Sequence, residues 1–394
     1  MQVWPKGGSG PSSFSEWQAN LVTTGIMNST SFKETRPMKR RDFLKGIAAT
    51  STGIAISSGM GPMLSSAHAA GKEDFGEVKS VKVHCISETS WFDNATLGND
   101  IKEAGGINTN QYDVAYTKDN LGGYAALIEI EALDGKKTKY LLDSGWNTEW
   151  MDYVFAKDGV DKMLKSKEIN TIFISHDHID HYFGIESTLK HQPDITMYFP
   201  GTSMKKSFEL LKGADFSKTP GCPKNSVPHT GKLIVTETNK LYKVQDGLAL
   251  VFFDAPATLQ CRGENVLYAK IKDKGYITIT GCCHPGILTL INHAKRNFKD
   301  GDKNYGLYGG LHISVFENWD PKFDDLITGM KTYNLSKIAC HHCTGWIWAE
   351  KALAAGLPIV KGTDNYKSYS KVGTLAKANT SKLYIGNGDS VLFG

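Results

Sequence analysis

One short run of this sequence concentrates side chains that can bind metal ions. His176, His178 and His181 alternate with Asp177 and Asp180, directly after an apolar stretch. Zinc, iron and manganese take imidazole and carboxylate ligands in proteins. Because residues two apart in a loop can point the same way, His176 and His178 can share one metal ion. Asp180 and His181 can bind a second ion, while Asp177 points away.

Further metal-binding side chains follow in the second half of the chain. They lie in three runs: Cys282-Cys283-His284, Gly309-Gly310-Leu311-His312 and Cys340-His341-His342-Cys343. The seven cysteines are an odd number, which does not suggest a complete set of disulfide bridges. Cysteines beside histidines more often indicate metal binding. The competing interpretation of the first run, a solvated polar loop or a helix cap, is disfavoured because five such residues so close together are rare by chance.

Apolar patterns and turn residues predict the elements that must position these groups. Strands are expected at residues 81–86, 124–132, 139–142, 171–175, 195–199, 232–236, 249–254, 266–272, 276–280, 303–311, 337–341, 381–385 and 390–393. Helices are expected at residues 147–165, 181–190, 286–297, 321–333 and 344–355. The strands fall into two groups, each followed by helices. This order predicts two sheets packed face to face with helices outside.

The first 69 residues are typical of an export leader rather than of a folded domain. Residues 38–46 contain two adjacent arginines followed by Phe-Leu-Lys, which resembles a twin-arginine signal. A weakly apolar stretch at 47–64 and a small-x-small cleavage site at 67–69 follow in the expected order. We therefore expect a mature domain at residues 70–394, exported already folded to the periplasm by the twin-arginine machinery.

Two features of this leader stay open in the sequence. Translation can begin at Met1 or at Met38. The apolar stretch is too short and polar for a stable membrane span, but an uncleaved signal would leave the protein anchored to the membrane.

The charge balance of the expected domain argues against nucleic-acid binding. Residues 1–70 hold seven Lys and Arg against three Asp and Glu, which leaves 38 basic and 38 acidic residues in the remainder. A nucleic-acid-binding domain needs a basic face. We therefore expect no nucleic-acid partner and a small-molecule substrate.

The run from His176 to His181 resembles the His-x-His-x-Asp-His signature of the metallo-β-lactamase superfamily. Leu141-Leu142-Asp143-Ser144-Gly145 resembles the upstream strand of that family, whose Asp supports the metal loop. The three later runs resemble one subgroup, which includes an archaeal dihydropterin/aminobenzene ribofuranosyl phosphate synthase of the methanopterin pathway and many hydrolases. The resemblance covers residues 80–394 and implies an α/β fold, an αββα sandwich of two mixed β-sheets flanked by helices.

The resemblance also implies a set of metal ligands. His176 and His178 match the pair that binds the first metal ion, and His284 is the candidate for its remaining ligand. Asp180 and His181 match the pair that binds the second ion.

Three further positions complete the implied site. His342 matches the last histidine of the second metal ion and is preferred over the competing His341 because it occupies the motif position. Cys282 falls where most of the superfamily has a bridging Asp, so either its thiolate bridges the ions or the protein supplies no bridge. His312 is expected to contact the substrate or the transition state, with a buried structural histidine as the alternative.

The implied function is hydrolysis of an ester, lactone, amide or phosphoester with two divalent metal ions. Asp180 would orient the attacking water or accept its proton. Zn²⁺ is favoured over Mn²⁺ or Fe²⁺ because a thiolate is a soft ligand. Alternatives are a condensing synthase of the pterin type and, less favoured, a di-iron redox enzyme, whose usual flavin domain and additional carboxylates are not evident here.

Overall fold

The computed structural model describes residues 72–88, 94–117, 122–238, 240–315, 317–369 and 382–394. These residues belong to one unit that spans Lys72 to Gly394. The arginine pair, the cleavage site and the expected boundary at residue 70 lie outside the described residues, so the expected domain division stays a prediction. Within the described ranges, no helix combines the length and the apolarity that a membrane crossing needs.

Seven strands form the first sheet, in the order β13-β1-β2-β3-β4-β5-β6. The strands are β1 Ser80–Ser87, β2 Ala125–Glu131, β3 Lys137–Leu142, β4 Ile169–Phe173, β5 Thr196–Pro200, β6 Leu233–Thr236 and β13 Ser390–Phe393. The pairs from β13 to β3 are antiparallel and those from β3 to β6 are parallel. Because β3 and β4 are parallel neighbours, the segments that follow them emerge at the same edge of the sheet.

Six strands form the second sheet, in the order β12-β11-β10-β9-β8-β7. The strands are β7 Leu241–Gln245, β8 Leu248–Pro256, β9 Arg262–Ile271, β10 Gly275–Ile279, β11 Asn304–Gly310 and β12 Lys337–His341. Strands β10, β11 and β12 pair in parallel, whereas β7 to β10 pair antiparallel. The loops after β10, β11 and β12 therefore also emerge together.

Helices cover the outer face of each sheet. The described α-helices are α1 Asn94–Glu103, α2 Thr148–Asp158, α3 Val160–Lys165, α4 Ile179–Tyr182, α5 Glu186–Leu189, α6 Lys205–Leu211, α7 Ile287–Asn297, α8 Lys322–Lys331 and α9 Trp346–Ala354. One apolar cluster packs α2 to α6 against the first sheet, and another packs α7, α8 and α9 against the second. A third cluster, formed by both sheets, fills the space between them.

Strand β2 illustrates how period-two patterning builds these layers. Ala126, Ile128 and Ile130 are buried in the cluster between the sheets. Ala125 and Leu127, which alternate with them, pack in the cluster on the helical side. The structure thus confirms the predicted α/β fold of two mixed β-sheets flanked by helices.

Several predicted elements differ from the structure. The single helix expected at 147–165 is two helices, because Gly159 adopts φ 72° and ends α2 before α3 begins. The helix expected at 181–190 is two short turns, α4 and α5. The strand expected at 381–385 is absent from its described part, 382–385. Sequence patterns missed α1, α6 and β7.

Candidate metal centre

The candidate site lies where loops from both sheets converge. The first sheet supplies residues 175–181, which follow β4 and enter α4. The second sheet supplies the segments after β10, β11 and β12, which carry Cys282, His284, His312 and His342. The packing of the two sheets therefore brings together side chains that are more than 160 residues apart in the chain, as in the pair His181 and His342.

A first group of possible ligands consists of His176, His178 and His284. One ligand atom from each lies within 4.8 Å of the other two. The His178 Nε2–H donates to the Thr258 carbonyl at 2.9 Å, which leaves its Nδ1 for a metal ion. His176 Nδ1 pairs with Ser175 Oγ at 2.8 Å, which leaves its Nε2. These hydrogen bonds fix the tautomer and the orientation of each ring, as partners of metal-binding histidines do.

Two ring nitrogens of this group provide a direct test of fit. The Nε2 atoms of His176 and His284 are buried and have no hydrogen-bond partner among the described residues. A buried polar atom without a partner costs free energy. A metal ion between these two imidazoles would satisfy both nitrogens, so the donor set fits a divalent cation.

A second group consists of Asp180, His181 and His342, again with ligand atoms within 4.8 Å of one another. His342 Nε2 lies 3.2 Å from Asp180 Oδ2 and 3.1 Å from His181 Nε2. All three side chains are almost completely buried. Two imidazoles and one carboxylate form a ligand set that suits zinc or iron.

Cys282 lies between the two groups. Its Sγ is 3.1 Å from His181 Nε2, and it falls within 4.8 Å of the ligand atoms of His176 and His181. It forms a further group with His342 and Cys343. Burial raises the pKa of the Cys282 thiol well above its usual range, so only a bound cation would favour the thiolate there.

Protonation states in the first group match what a cation requires. Burial, together with the neighbouring imidazole of His284, lowers the pKa of His178 to about 3. Burial and the surrounding histidines lower the pKa of His176 well below its usual range. Burial opposes ionisation of Asp180, yet the adjacent His181 and His342 hold its pKa well below the ordinary value. Neutral imidazoles, as in His176 and His178, are the states that bind metal. In the second group burial opposes protonation of His181, but Asp180 and Asp143 raise its pKa, so a metal ion there must displace a proton.

Asp143 holds the histidine loop in place from the end of β3. Its Oδ1 accepts the Ser175 N–H at 2.6 Å, and its Oδ2 accepts the Ser175 hydroxyl at 2.6 Å and His181 Nδ1–H at 2.7 Å. The last bond leaves His181 Nε2 facing the second group. In the structure, this carboxylate therefore supports the metal-binding loop, as the sequence resemblance implied.

Glu264 plays the same part in the second sheet, and sequence analysis missed it. Its buried carboxylate accepts the N–H groups of Gly281, Cys282, Cys283 and His284 at 2.7–3.1 Å. It also accepts the Thr280 hydroxyl and, at 3.1 Å, His284 Nδ1–H. Burial opposes ionisation, but these hydrogen bonds, led by that of His284, hold its pKa well below the ordinary value. The loop carrying Cys282 and His284 is wrapped around one anion.

The remaining predicted positions separate into three environments. Asp177 points away from the cluster, because its carboxylate accepts the Ser207 hydroxyl at 2.6 Å. His341 is buried between the rings of Tyr124 and Tyr308. It belongs to none of the ligand groups among the described residues, whereas its neighbour His342 does. His312 is exposed beside the first group, with its ring 4.8 Å from that of His284.

A pocket of about 580 Å³ opens next to the first group. His284, Thr258 and His312 form the wall nearest the possible ligands. The rest of the pocket lies between the start of α7, one face of α8 and residues 107–108 and 256–257. Concave, mostly apolar pockets of this size with a few polar groups are typical small-molecule sites.

One family model matches the region around the first motif. Residues 119–234 match the model of the metallo-beta-lactamase superfamily. The matched segment contains Asp143 and the whole run from His176 to His181. It ends before Cys282, His284 and His342, which the second sheet contributes.

One curated relative is 7,8-dihydropterin-6-methyl-4-(beta-D-ribofuranosyl)-aminobenzene-5'-phosphate synthase of Methanocaldococcus jannaschii. It is 25% identical over 251 residues, which cover 57% of this chain and 81% of the relative. Among solved structures, a metal-dependent hydrolase of the beta-lactamase superfamily matches with TM-score 0.42 at 15% identity, covering 79% of this chain and 98% of that one. A metallo-beta-lactamase fold protein of Bacillus subtilis matches with TM-score 0.35 at 10% identity, covering 80% and 100%.

We predict that Glu264→Gln weakens metal binding at the first group by about 10- to 100-fold, the usual cost of losing a partner of a metal ligand. The amide would present N–H groups to a loop that offers only donors, so His284 would lose its orientation. Metal titration against a competing chelator measures the effect. Glu186→Gln is the matched control, because Glu186 also accepts two hydrogen bonds, from Ser226, on the surface. Wild-type affinity in a folded Glu264→Gln protein would contradict the assigned role.

We predict that Co²⁺-loaded protein shows a near-ultraviolet band from thiolate-to-cobalt charge transfer, and that Cys282→Ser removes it. The sulfur lies among the ligand atoms of both groups, and a coordinating thiol is deprotonated. Absorption spectroscopy measures the band. Cys340→Ser is the control, because Cys340 is buried in the cluster beneath α7 to α9 and belongs to no ligand group in the described chain. A band that keeps its full intensity in Cys282→Ser would exclude Cys282 as a ligand, whereas a weakened band would indicate that Cys343 also contributes a thiolate.

Proposed function

We propose that this chain is a metal-dependent hydrolase of the metallo-β-lactamase superfamily that acts on a small molecule with two divalent metal ions, preferably Zn²⁺. The observation that carries the proposal is the pair of adjacent buried ligand groups, one of three histidines and one of Asp180, His181 and His342. The family match over residues 119–234 supports it, because members of this superfamily are generally metal-dependent hydrolases.

Most of the residues in the site would hold metal ions, and Asp180 and His312 would act on the attacking water and the substrate. His176, His178 and His284 would hold one ion, and the second group would hold the other. When bound, such ions supply Lewis acidity, which polarises the bond to be cleaved and makes water a stronger acid near neutral pH. Asp180, kept anionic by its neighbours, orients the attacking water through its carboxylate.

His312 is positioned to act on the substrate rather than on a metal ion. It is exposed in the wall of the pocket, beside the ring of His284. It belongs to none of the ligand groups among the described residues. Its imidazole can therefore donate a hydrogen bond to the oxygen that gains charge during cleavage.

A condensing synthase is the second candidate, favoured by the 25% identity to the archaeal enzyme. The name of that relative indicates a product that carries a 5'-phosphate. Away from the ligand groups, the described residues that line the pocket include no Lys or Arg, so a phosphate bound between α7 and α8 would lack a cationic side chain. This difference favours a hydrolase whose substrate extends an uncharged part into the pocket over that synthase. A di-iron redox role receives less support, because the two groups contain only one carboxylate.

We further propose that the enzyme works in the periplasm after twin-arginine export. The proposal rests on the arginine pair at residues 40–41 and on the apolar stretch and cleavage site that follow it. That route carries folded proteins, which suits an enzyme whose ligand loops must be assembled to hold metal ions.

Metal analysis tests the central proposal. Purified protein should hold about two metal ions per chain, as a site with two complete ligand groups requires. His178→Ala should lower the content by about one ion and reduce hydrolysis of esters, lactones, amides or phosphoesters at least 100-fold. His191→Ala is the control, since His191 lies outside both groups. Less than one ion per chain, with His178→Ala unchanged, would contradict the proposal.

Fractionation tests the proposed location. Replacing Arg40 and Arg41 together by Lys should keep the precursor in the cytoplasm of a bacterial host with a working twin-arginine pathway. Lys72→Arg, a conservative change just after the expected cleavage site, should leave export intact. Immunodetection in periplasmic and cytoplasmic fractions measures the outcome. Equal export of the double variant would overturn the proposed route.

A further inference from the structure

We propose that the pocket beside the first ligand group binds an uncharged, apolar group of the substrate, such as an acyl chain or an aromatic ring. This inference rests on the proposed function, because it assigns the part of the substrate that lies next to the cleaved bond. The pocket itself, however, can be tested without any reaction.

The walls of the pocket are apolar on three sides. α7 contributes Ile287 and Leu288, and α8 contributes Phe323 and Leu326. The other apolar lining residues are Ile107, Pro256, Ala257, Leu311 and Ile313. Leu288, Ile313, Phe323 and Leu326 are only partly buried, so they present apolar surface to whatever occupies the pocket. Covering that surface would release the free energy that apolar burial provides.

Three polar residues of the pocket lie on the side of the ligand cluster, and the other polar lining residues are Asn108 and Thr289. His284 lines the pocket and belongs to the first ligand group, and Thr258 accepts a hydrogen bond from His178 through its carbonyl. His312 stands beside them. A substrate bound here would place its reacting bond against His284 and His312 and extend its remaining part between α7 and α8.

Charge decides which kind of group fits. The described residues that line the pocket include no Asp, Glu, Lys or Arg. A phosphate or carboxylate placed between α7 and α8 would lose hydration without gaining a charged partner, which is costly. The start of α7 offers backbone N–H groups and the Thr289 hydroxyl, which can donate hydrogen bonds but carry no full charge. An apolar group meets no such penalty.

The binding experiment uses the metal-loaded protein and N-phenyl-1-naphthylamine, an uncharged fluorescent probe. Straight-chain primary alcohols should displace the probe with affinities that rise about fourfold for each methylene, until the pocket is filled. Octyltrimethylammonium, which carries a charge but cannot bind a metal ion, should compete less well than octanol. Affinities that do not change with chain length, or tighter binding of octyltrimethylammonium than of octanol, would overturn the inference.

Leu326→Asp places a carboxylate on the α8 side of the pocket and should lower the affinity for decanol at least tenfold. Leu326 is partly exposed, so the substitution does not open the buried core. Ile313→Ala, which only removes apolar surface, should lower the same affinity about threefold. Leu133→Asp is the matched control, because Leu133 is 55% exposed and outside the pocket. Equal affinities in Leu326→Asp, Ile313→Ala and wild type would contradict the assignment.

A matched ester series separates this inference from the proposed function. Acyl groups from acetyl to decanoyl on one leaving group should give kcat/KM values that rise with chain length, and Leu326→Asp should flatten the trend. If the alcohols bind as expected but no ester, lactone, amide or phosphoester is cleaved, the proposed function fails while the pocket assignment holds. If cleavage is found without any dependence on acyl length, the pocket assignment fails while the function holds.

Discussion

Two buried carboxylates, Asp143 and Glu264, hold the loops from which most of the possible ligands project. An ion buried without partners would cost several kcal/mol. Each carboxylate accepts hydrogen bonds from a hydroxyl and an imidazole N–H, and from one backbone N–H in Asp143 and four in Glu264. Hydrogen bonds to a charged group contribute about 1.5–3 kcal/mol each, so the anions are stable only when the loops close around them. The closed loops in turn fix the tautomers of His181 and His284, with each Nε2 directed at a metal position. Each loop therefore closes and orients its histidine ring through the same carboxylate.

The two anions occupy corresponding places in the two sheets. Asp143 follows β3 and holds the loop after the neighbouring β4, while Glu264 lies near the start of β9 and holds the loop after the neighbouring β10. Neither sheet alone supplies a complete set of ligands, since the first group needs His284 and the second needs His342. The apolar cluster between the sheets therefore does more than stabilise the fold. It fixes the separation of the two loops, so a loss of packing in this cluster would change the distances between the possible ligands.

Sequence reasoning anticipated the groups that lie in recognisable runs and missed those that depend on pairing. The alternation of His176, His178, Asp180 and His181 is local, and its meaning survives without knowledge of the fold. Glu264 carries no such signal: it lies just before the predicted strand at 266–272, where a charged residue is typical of a solvated turn. Its role arises only when β9 pairs with β10 and brings four consecutive N–H groups around it. The pocket could not be predicted from the sequence for the same reason, because α7 and α8 become neighbours only in the folded chain. The break at Gly159 was missed because helical spacing continues across it, although the glycine itself was visible.

Backbone strain at the site explains why these carboxylates need so many hydrogen bonds. Asp143, Cys283, His312 and His342 all have positive φ, between 45° and 61°. For residues other than glycine this conformation costs about 1–3 kcal/mol each, and it persists only where the surroundings enforce it. Asp143 and Cys283 take part in the hydrogen bonds of the two carboxylates, and the His342 N–H donates to the buried Glu88 at 3.2 Å. Hydrogen bonds to anions are strong enough to offset strain of that size. The strained residues turn the chain sharply at the strand ends, which directs side chains from both sheets into one volume. The hydrogen bonds of the buried carboxylates and the turns at the strand ends therefore act together, because the first hold the strained backbone that the second need to bring the possible ligands into one place.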